Sequence, residues 1–223
     1  MVRAAEKPPA VSEVSIAAGG RRVHGELRVP GGATGAVAFA HGSGSGRFSP
    51  RNRFVAQELH KAGLATLLMD LLEPDEAEDR GKVFDIGLLA SRLLHAARWL
   101  RANRQTSALA IGYFGASTGA AAALVAAAEE PEGVAAVVSR GGRPDLARRW
   151  LPQVKAPTLL IVGGNDAAVL EWNRDALKRL EAEKELIVVP GATHLFEEPG
   201  ALEQVALHAS RWFARHLGPA PGT

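Results

Sequence analysis

The stretch Gly115-Ala116-Ser117-Thr118-Gly119 places a serine between two glycines. An apolar run predicted as a strand precedes it, and a predicted helix rich in alanine follows it. A residue at such a sharp turn has a strained backbone, and side chains two positions away on either side would collide with their neighbours. Glycine at both positions removes the collision. The stretch therefore predicts a serine hydroxyl at a helix N-terminus, where free amides favour developing negative charge.

The length and composition of the chain predict a single globular domain. Its 223 residues are 47% hydrophobic and 22% charged, with no low-complexity tract and no visible linker. A domain of this size buries a sizeable core without disulfides or metals. We therefore expect one domain over residues 1–223, with loose termini at 1–10 and 218–223.

Charge and cysteine usage exclude several classes of protein. The chain has no cysteine, which removes disulfides and thiolate chemistry, and residues 1–11 lack the apolar segment of a signal peptide. We therefore expect a cytoplasmic protein. The net charge of +2 comes from interleaved basic and acidic residues, so no nucleic-acid partner is expected. The uncharged run 105–128 is long enough to span a bilayer, but its glycines and alanines favour a buried strand and helix, so no membrane partner is expected.

Short apolar runs alternate with helical patterns along most of the chain. This alternation predicts an α/β fold, in which a mostly parallel sheet is covered by helices on both faces. An antiparallel hairpin is predicted at the N-terminus, and no large cap domain is expected. The predicted strands are 13–16, 22–29, 36–40, 64–72, 108–114, 134–139, 157–162 and 185–189. The predicted helices are 51–62, 83–103, 117–130, 168–183 and 199–217, with a surface loop at 73–82 and one or two helical turns within 140–154.

Three polar residues each follow the end of a predicted parallel strand, where ligands and catalytic groups of such sheets gather. They occur in the order Ser117, Asp166, His194. A serine hydroxyl needs a base to remove its proton, and a carboxylate orients that base, so we predict a catalytic triad. The alternative for Asp166 is a helix N-cap, and Asp145 is the reserve carboxylate.

The triad chemistry also needs two amides that hold the oxyanion. We assign these to the backbone N–H groups of Thr118 and Ser43, because Ser43 lies in the glycine-rich loop after His41. His41 is expected to brace this loop. No metal and no cofactor are predicted, because no cluster has metal-ligand spacing and the glycines at 42, 44 and 46 do not match a phosphate-binding motif.

Arginines and apolar residues near the predicted strand ends are candidates for substrate binding. Arg47 and Arg140, with Arg51 nearby, could recognise a carboxylate or a phosphate. The alternative is that these arginines form salt bridges with nearby carboxylates, namely Asp79, Asp85 or Asp145. Apolar side chains expected to line an open cleft are Phe48, Leu195, Leu71, Leu72 and Trp150.

The constellation resembles the α/β-hydrolase superfamily over nearly the whole chain. Within it, the chain is similar to the branch related to dienelactone hydrolases. The residues that carry this resemblance are His41-Gly42-Ser43-Gly44-Ser45-Gly46, Ser49-Pro50-Arg51-Asn52-Arg53 and Ser139-Arg140-Gly141-Gly142-Arg143-Pro144-Asp145. Dienelactone hydrolases proper use a cysteine nucleophile where this chain has Ser117, so the resemblance does not extend to the dienelactone substrate.

The resemblance implies hydrolysis of small-molecule esters or lactones through an acyl-enzyme. Two alternatives stay open at this point. The same triad could serve acyl transfer, C–C bond hydrolysis or peptide cleavage, since a fold does not determine a reaction. The chain could also be a non-catalytic binding protein on a hydrolase scaffold.

Overall fold

The structure, a computed structural model, describes residues 10–218; the predictions for residues 1–9 and 219–223 concern positions outside it. One eight-stranded sheet runs through the described part. Its strands are β1 (Ser12–Ala18), β2 (Arg21–Arg28), β3 (Gly35–Ala40), β4 (Leu64–Met69), β5 (Ala110–Ala116), β6 (Ala136–Arg140), β7 (Thr158–Gly163) and β8 (Lys184–Val189). Across the sheet they lie in the order β1-β2-β4-β3-β5-β6-β7-β8.

The predicted mixture of parallel and antiparallel strands is confirmed. β1 and β2 form an antiparallel hairpin whose turn is made by Gly19 and Gly20, both with positive φ. β2 also pairs antiparallel with β4, while every pair from β4 to β8 is parallel. The carboxyl ends of the parallel strands therefore meet at one edge of the sheet, which is where the candidate catalytic residues follow β5, β7 and β8.

Helices cover both faces of the sheet, as predicted. They are α1 (Pro50–Lys61), α2 (Pro74–Ala77), α3 (Arg80–Val83), α4 (Ile86–Ala102), α5 (Thr118–Glu129), α6 (Ala167–Arg179) and α7 (Ala201–Leu217). One apolar cluster joins the sheet to α4 and α5, and a second joins its other face to α1 and α7. Among residues 10–218, no helix is both long enough and apolar enough to cross a membrane.

The segment 73–82 lies mostly at the surface, as predicted, but the expectation that it is a loop is wrong. This segment folds into the short helices α2 and α3, and Glu76 is only 3% exposed. Its carboxylate lies 3.1 Å from the guanidinium of Arg92 in α4, and Arg92 also donates to the carbonyl of Ala18 in β1. In the sequence this acidic run looks like a solvated loop. The residue that allows Glu76 to be buried, Arg92, lies 16 residues further along the chain and is not part of the local pattern.

Several boundaries differ from prediction for local reasons. β4 ends at Met69 rather than at residue 72, because the backbone N–H of Leu71 donates to Nε2 of His41 at 2.9 Å instead of to a neighbouring strand. α4 begins at residue 86, because the carboxylate of Asp85 caps the N–H of Leu88 at 3.0 Å. α6 ends at residue 179, where the buried Leu180 turns to an extended conformation.

The segment between β6 and β7 is short. It contains two single-turn 3-10 helices, Pro144–Ala147 and Leu151–Gln153, in agreement with the prediction for 140–154. No large cap covers the sheet edge in the described part of the chain.

Candidate active site

Ser117 sits at a strained turn between β5 and α5. Its φ of 51° and ψ of −119° lie in a region that non-glycine residues rarely adopt. A Cβ on Gly115 would lie 2.4 Å from the Cα of Ala120, and a Cβ on Gly119 would lie 2.2 Å from the carbonyl oxygen of Ala40. Both distances are far below a van der Waals contact. The two glycines therefore allow β5, α5 and β3 to meet around the serine.

The glycine-rich loop after β3 packs directly against this turn. A Cβ on Gly42 would lie 3.1 Å from the Cβ of Ser117. The backbone N–H of Ser43 donates to the Thr118 hydroxyl oxygen at 3.0 Å. The amide assigned to the oxyanion hole thus lies beside the serine, and it is bonded to the Thr118 side chain.

His41 fixes the orientation of that loop. Its Nε2 accepts the N–H of Leu71 at 2.9 Å, so its Nδ1 carries the proton and donates to the carbonyl of Gly42 at 3.0 Å. Burial lowers the pKa of His41, which keeps the ring neutral. Because the C=O and N–H of one peptide point in opposite directions, holding the Gly42 carbonyl orients the N–H of Ser43. The contacts of His41 are those of the brace expected from the sequence.

His194 and Asp166 are in direct contact. The imidazole Nδ1 lies 2.6 Å from Oδ2 of Asp166. Asp166 occupies the N-cap position of α6, but its carboxylate makes no capping hydrogen bond. Asp145, the reserve carboxylate, instead accepts two hydrogen bonds from the Arg143 guanidinium at 2.9 and 2.8 Å. Of the two carboxylates considered, Asp166 is therefore the one that can orient the imidazole.

The loops that carry Asp166 and His194 are bonded to each other. Asn165 donates its backbone N–H to the carbonyl of Ala192 at 2.9 Å and its side-chain amide to the carbonyl of Gly191 at 2.9 Å. A Cβ on Gly163 would lie 2.4 Å from the Ala192 carbonyl oxygen. Glycine at the end of β7 therefore permits the close approach that sets the geometry of the His–Asp pair.

The end of β6 lies between the serine and the histidine. Ser117 donates its backbone N–H to the carbonyl of Arg140 at 3.2 Å, and a Cβ on Gly141 would lie 3.5 Å from the His194 ring. Within residues 10–218, the hydrogen bond of the imidazole is to Asp166, and none joins it to the Ser117 hydroxyl. Such bonds are often long in ligand-free enzymes and shorten when substrate binds.

Asn173 holds the loop that follows β6, a role that the sequence analysis missed. Its buried side-chain amide donates to the carbonyl of Gly142 at 3.0 Å, and the N–H of Arg143 donates to the carbonyl of Ser117 at 3.1 Å. The sequence feature that could have revealed this role is that Asn173 is a polar residue on the buried face of a predicted helix. Asn173 thereby supports the turn at Ser117 from the side of α6.

A cavity of about 400 Å³ adjoins the oxyanion loop. The polar residues that line it are His41, Ser43, Ser45, Asp70 and Thr118. Apolar side chains from the region of α2, α3 and α4 form the rest of the wall, namely Leu72, Pro74, Ala77, Val83 and Leu89. The two short helices that replace the predicted loop therefore make part of the wall of this cavity.

The arginines at the sheet edge differ in how their charge is compensated. Arg47 is ion-paired with Asp70, and Arg51 lies 3.3 Å from Glu197, which is exposed. Arg140 is 8% exposed and has neither a hydrogen bond nor an ion pair from its side chain to a residue within 10–218. The carboxylates named as alternative partners, Asp79, Asp85 and Asp145, do not pair with these three arginines. The expectation that these three carboxylates would be the partners was therefore wrong.

The apolar candidates fall into two groups. Phe48 and Leu195 are 55% and 41% exposed at this edge, and the ring of Phe48 stacks with Arg47 at 4.3 Å. Leu72 lines the cavity. Leu71 is instead fully buried in the core, and Trp150 lines a separate depression on the outside of α4 and α5, so the expectation for these two was wrong.

Comparison with known proteins points to one family. A model of the dienelactone hydrolase family matches residues 52–217. The crystal structure of a dienelactone hydrolase from Anabaena variabilis is 60% identical in sequence, with a TM-score of 0.92 over 95% of this chain and 100% of that one. Est1E from Butyrivibrio proteoclasticus, 16% identical, shares the fold with a TM-score of 0.77 over 92% of this chain and 98% of its own. The predicted α/β-hydrolase fold is thus confirmed.

A longer protein also matches. A putative phosphoribosyl transferase of Mycobacterium tuberculosis is 58% identical over 219 residues, which are 98% of this chain and 49% of that protein. The chain therefore spans about half the length of this curated relative.

Proposed function

Because the chain belongs to the dienelactone hydrolase family, we propose that it is a serine hydrolase that cleaves carboxylic esters or lactones. The observation that supports the proposal is the placement of three residues at one edge of the sheet. The strained turn at Ser117 and the bonded pair of His194 and Asp166 lie on either side of the end of β6. A serine, a base and a carboxylate at one sheet edge are the groups that acyl transfer to water needs.

The hydrogen bonding of His194 assigns its protons. Nδ1 faces Asp166 and so carries a proton, which leaves Nε2 free to accept the proton of the Ser117 hydroxyl. The Ser117 oxygen then attacks the substrate carbonyl and forms a tetrahedral intermediate. Asp166 stabilises the positive charge that His194 gains, and His194 next donates its proton to the leaving alkoxide.

The oxyanion would be held by the N–H groups of Thr118 and Ser43. The first lies in the first turn of α5, where the helix dipole also favours negative charge. The second must leave the Thr118 hydroxyl or share its hydrogen with the oxyanion. Water activated by His194 then attacks the acyl-enzyme and releases the acid, which returns Ser117 to its starting state.

The cavity beside the oxyanion loop indicates the size of substrate. Its volume of about 400 Å³ and its apolar wall suit a small acyl chain or ring, and the short segment between β6 and β7 leaves the site open. The dienelactone that names the family is not proposed as the substrate, because Ser117 replaces the cysteine of dienelactone hydrolases proper.

Hydrolysis of short p-nitrophenyl esters and small lactones by wild type, Ser117→Ala and Asp166→Asn tests the proposal. We expect Ser117→Ala to lose about 10⁶ in kcat, and Asp166→Asn to lose about 10⁴ if its geometry is kept. Circular dichroism and thermal unfolding of the variants confirm that they are folded. A Ser117→Ala variant as active as wild type would exclude the mechanism, and an inactive wild type would favour the binding-protein alternative.

A further inference from the structure

Two non-glycine residues in the described part of the chain have a positive φ, and both lie at the candidate site. One is Ser117, and the other is Phe196, with a φ of 55°. A bulky residue rarely adopts such a backbone, and the strain persists only where the surrounding structure enforces it. Phe196 comes two residues after His194, so the loop that carries the proposed base is itself held in a strained conformation.

The His194 loop, residues 192–198, is fixed on both sides of the imidazole by buried residues. Ala192 and Phe196 are 0% and 2% exposed, and both pack in the apolar cluster under α1 and α7. Between them, the N–H of Phe196 donates to the carbonyl of Thr193 at 3.2 Å and closes a turn around His194. The imidazole side chain itself is 39% exposed. Packing around the ring is therefore incomplete, and the backbone of this turn has to define where the ring lies.

Glu198 binds the start of this turn. Its Oε1 accepts the backbone N–H of Thr193 at 3.1 Å and the Thr193 hydroxyl at 2.6 Å. The hydrogen bond from that hydroxyl is the largest of the effects that lower the pKa of Glu198, so the side chain is a carboxylate at neutral pH. A charged acceptor forms stronger hydrogen bonds than a neutral one. Two bonds to one residue thus fix the position of Thr193, which immediately precedes His194.

Glu198 is in turn fixed to α7. Its carbonyl accepts the N–H of Ala201, the first residue of α7, at 3.0 Å, and Ala201 is buried. The adjacent Glu197 differs, because its side chain is 64% exposed and contacts Arg51 at 3.3 Å. Within residues 10–218, the Glu197 side chain makes no hydrogen bond to the His194 loop. Of these two glutamates, Glu198 is therefore the one that connects the turn to the helix.

We propose that Glu198 is a positioning residue for His194. By holding Thr193 it fixes the turn that Phe196 closes. The imidazole then stays bonded to Asp166 at 2.6 Å while it accepts and returns the proton of the nucleophile. This inference rests on the proposed function, in which His194 is the base. Because Glu198 acts on the base and not on the bound substrate, its loss should lower kcat and leave KM unchanged.

Hydrolysis of a short p-nitrophenyl ester by Glu198→Met and Glu197→Met tests the proposal. The two variants carry the same substitution at adjacent positions, and the bonds to Thr193 are lost in the first one alone. We expect Glu198→Met to lower kcat about tenfold to hundredfold with KM changed by less than about twofold. Glu197→Met should keep both constants. Glu198→Gln retains an acceptor oxygen on a side chain of the same length and should recover most of kcat.

Two variants of Thr193 keep the test decisive if Glu198→Met does not fold. Thr193→Val removes the hydroxyl and should lower kcat about twofold to tenfold, and Thr193→Ser should restore it. A role in stability alone would lower the melting temperature without a selective loss of kcat. Wild-type kcat in both Glu198→Met and Thr193→Val, an equal loss in Glu197→Met, or a loss expressed as a higher KM overturns the proposal.

Labelling of Ser117 by a fluorophosphonate separates this inference from the proposed function. The rate of labelling reports how well the base activates the serine, and it does not require an ester substrate. If wild type cleaves no ester but is labelled, and labelling is slower in Glu198→Met, the proposed reaction fails and the positioning role stands. If both proteins cleave esters with equal kcat, the positioning role fails and the proposed function stands. A wild type that neither cleaves esters nor is labelled overturns both.

Discussion

Substitution of Gly119 by alanine tests how the turn at Ser117 is built. A Cβ at this position would lie 2.2 Å from the carbonyl oxygen of Ala40 and 2.4 Å from that of His41, whereas ordinary contacts begin near 3.4 Å. The end of β3 and the start of α5 would have to separate by about 1 Å to admit the methyl group. Both carbonyls are backbone atoms of a buried strand end, so no flexible side chain can relieve the overlap.

The expected cost is in both stability and rate. Overpacking of this kind destabilises by about 1–3 kcal/mol, which lowers the melting temperature of a chain this size by about 2–12 °C. The same separation moves the loop of His41 and Ser43 away from Ser117. A displacement of about 1 Å at a reacting centre reduces turnover by about 10²-fold.

Gly87→Ala is the control for this experiment. Gly87 is the second residue of α4, as Gly119 is the second residue of α5, and its added Cβ would lie 3.4 Å from the Asp85 carboxylate. The same change there should raise stability by up to about 1 kcal/mol, because alanine favours the helix, and should leave ester hydrolysis unchanged. Thermal unfolding and initial rates on a p-nitrophenyl ester measure both variants. A Gly119→Ala enzyme with wild-type melting temperature and kcat would refute the steric account of the turn.

Two further predictions concern the oxyanion loop and acid stability. Thr118→Val removes the hydroxyl that accepts the N–H of Ser43, and it should lower kcat/KM by about twofold to tenfold. Thr118→Ser keeps the hydroxyl and should restore kcat/KM. An unchanged kcat/KM in Thr118→Val would show that His41 alone holds the loop. Burial lowers the pKa of His60 to about 4 from an ordinary 6.5, so the unfolded chain binds the proton more readily. The free energy of unfolding that comes from keeping His60 neutral is fully present above pH 6.5, and it is lost as the pH falls toward 4. We therefore expect the free energy of unfolding in urea to fall less between pH 7.5 and pH 5.5 in His60→Gln than in wild type. An equal fall in both proteins would contradict the reasoning.

The fold was predictable from the sequence where local pattern and tertiary environment agree. The parallel strands β3 to β7 are buried on both faces, so their continuous apolar runs were a direct signal. The region of α2 was not predictable, because burial of Glu76 depends on Arg92 in a later helix. The end of β4 was missed for a similar reason, since the N–H of Leu71 donates to His41 in another loop instead of to a neighbouring strand.

The candidate site was predictable to the extent that the chain order and strand ends determine it. Asp166 and His194 were chosen because they follow β7 and β8, and the structure brings their side chains to 2.6 Å. Their catalytic roles, and those of Ser117 and the two amides, stay predictions. The isolation of Arg140 could not be recognised in the sequence, because it depends on which arginines other carboxylates already occupy.

The strained conformation at residue 117 is accommodated by Gly115, Gly119 and Gly42, and it is held by backbone hydrogen bonds to Arg140 and Arg143. These contacts involve backbone atoms and the Cβ position, so the backbone at the proposed nucleophile does not depend on whether the side chain ends in oxygen or sulfur. A family built on this turn can exchange serine and cysteine by a single substitution without rebuilding the fold. Its reactivity can then diverge through the base and the surrounding charges, while the architecture stays the same.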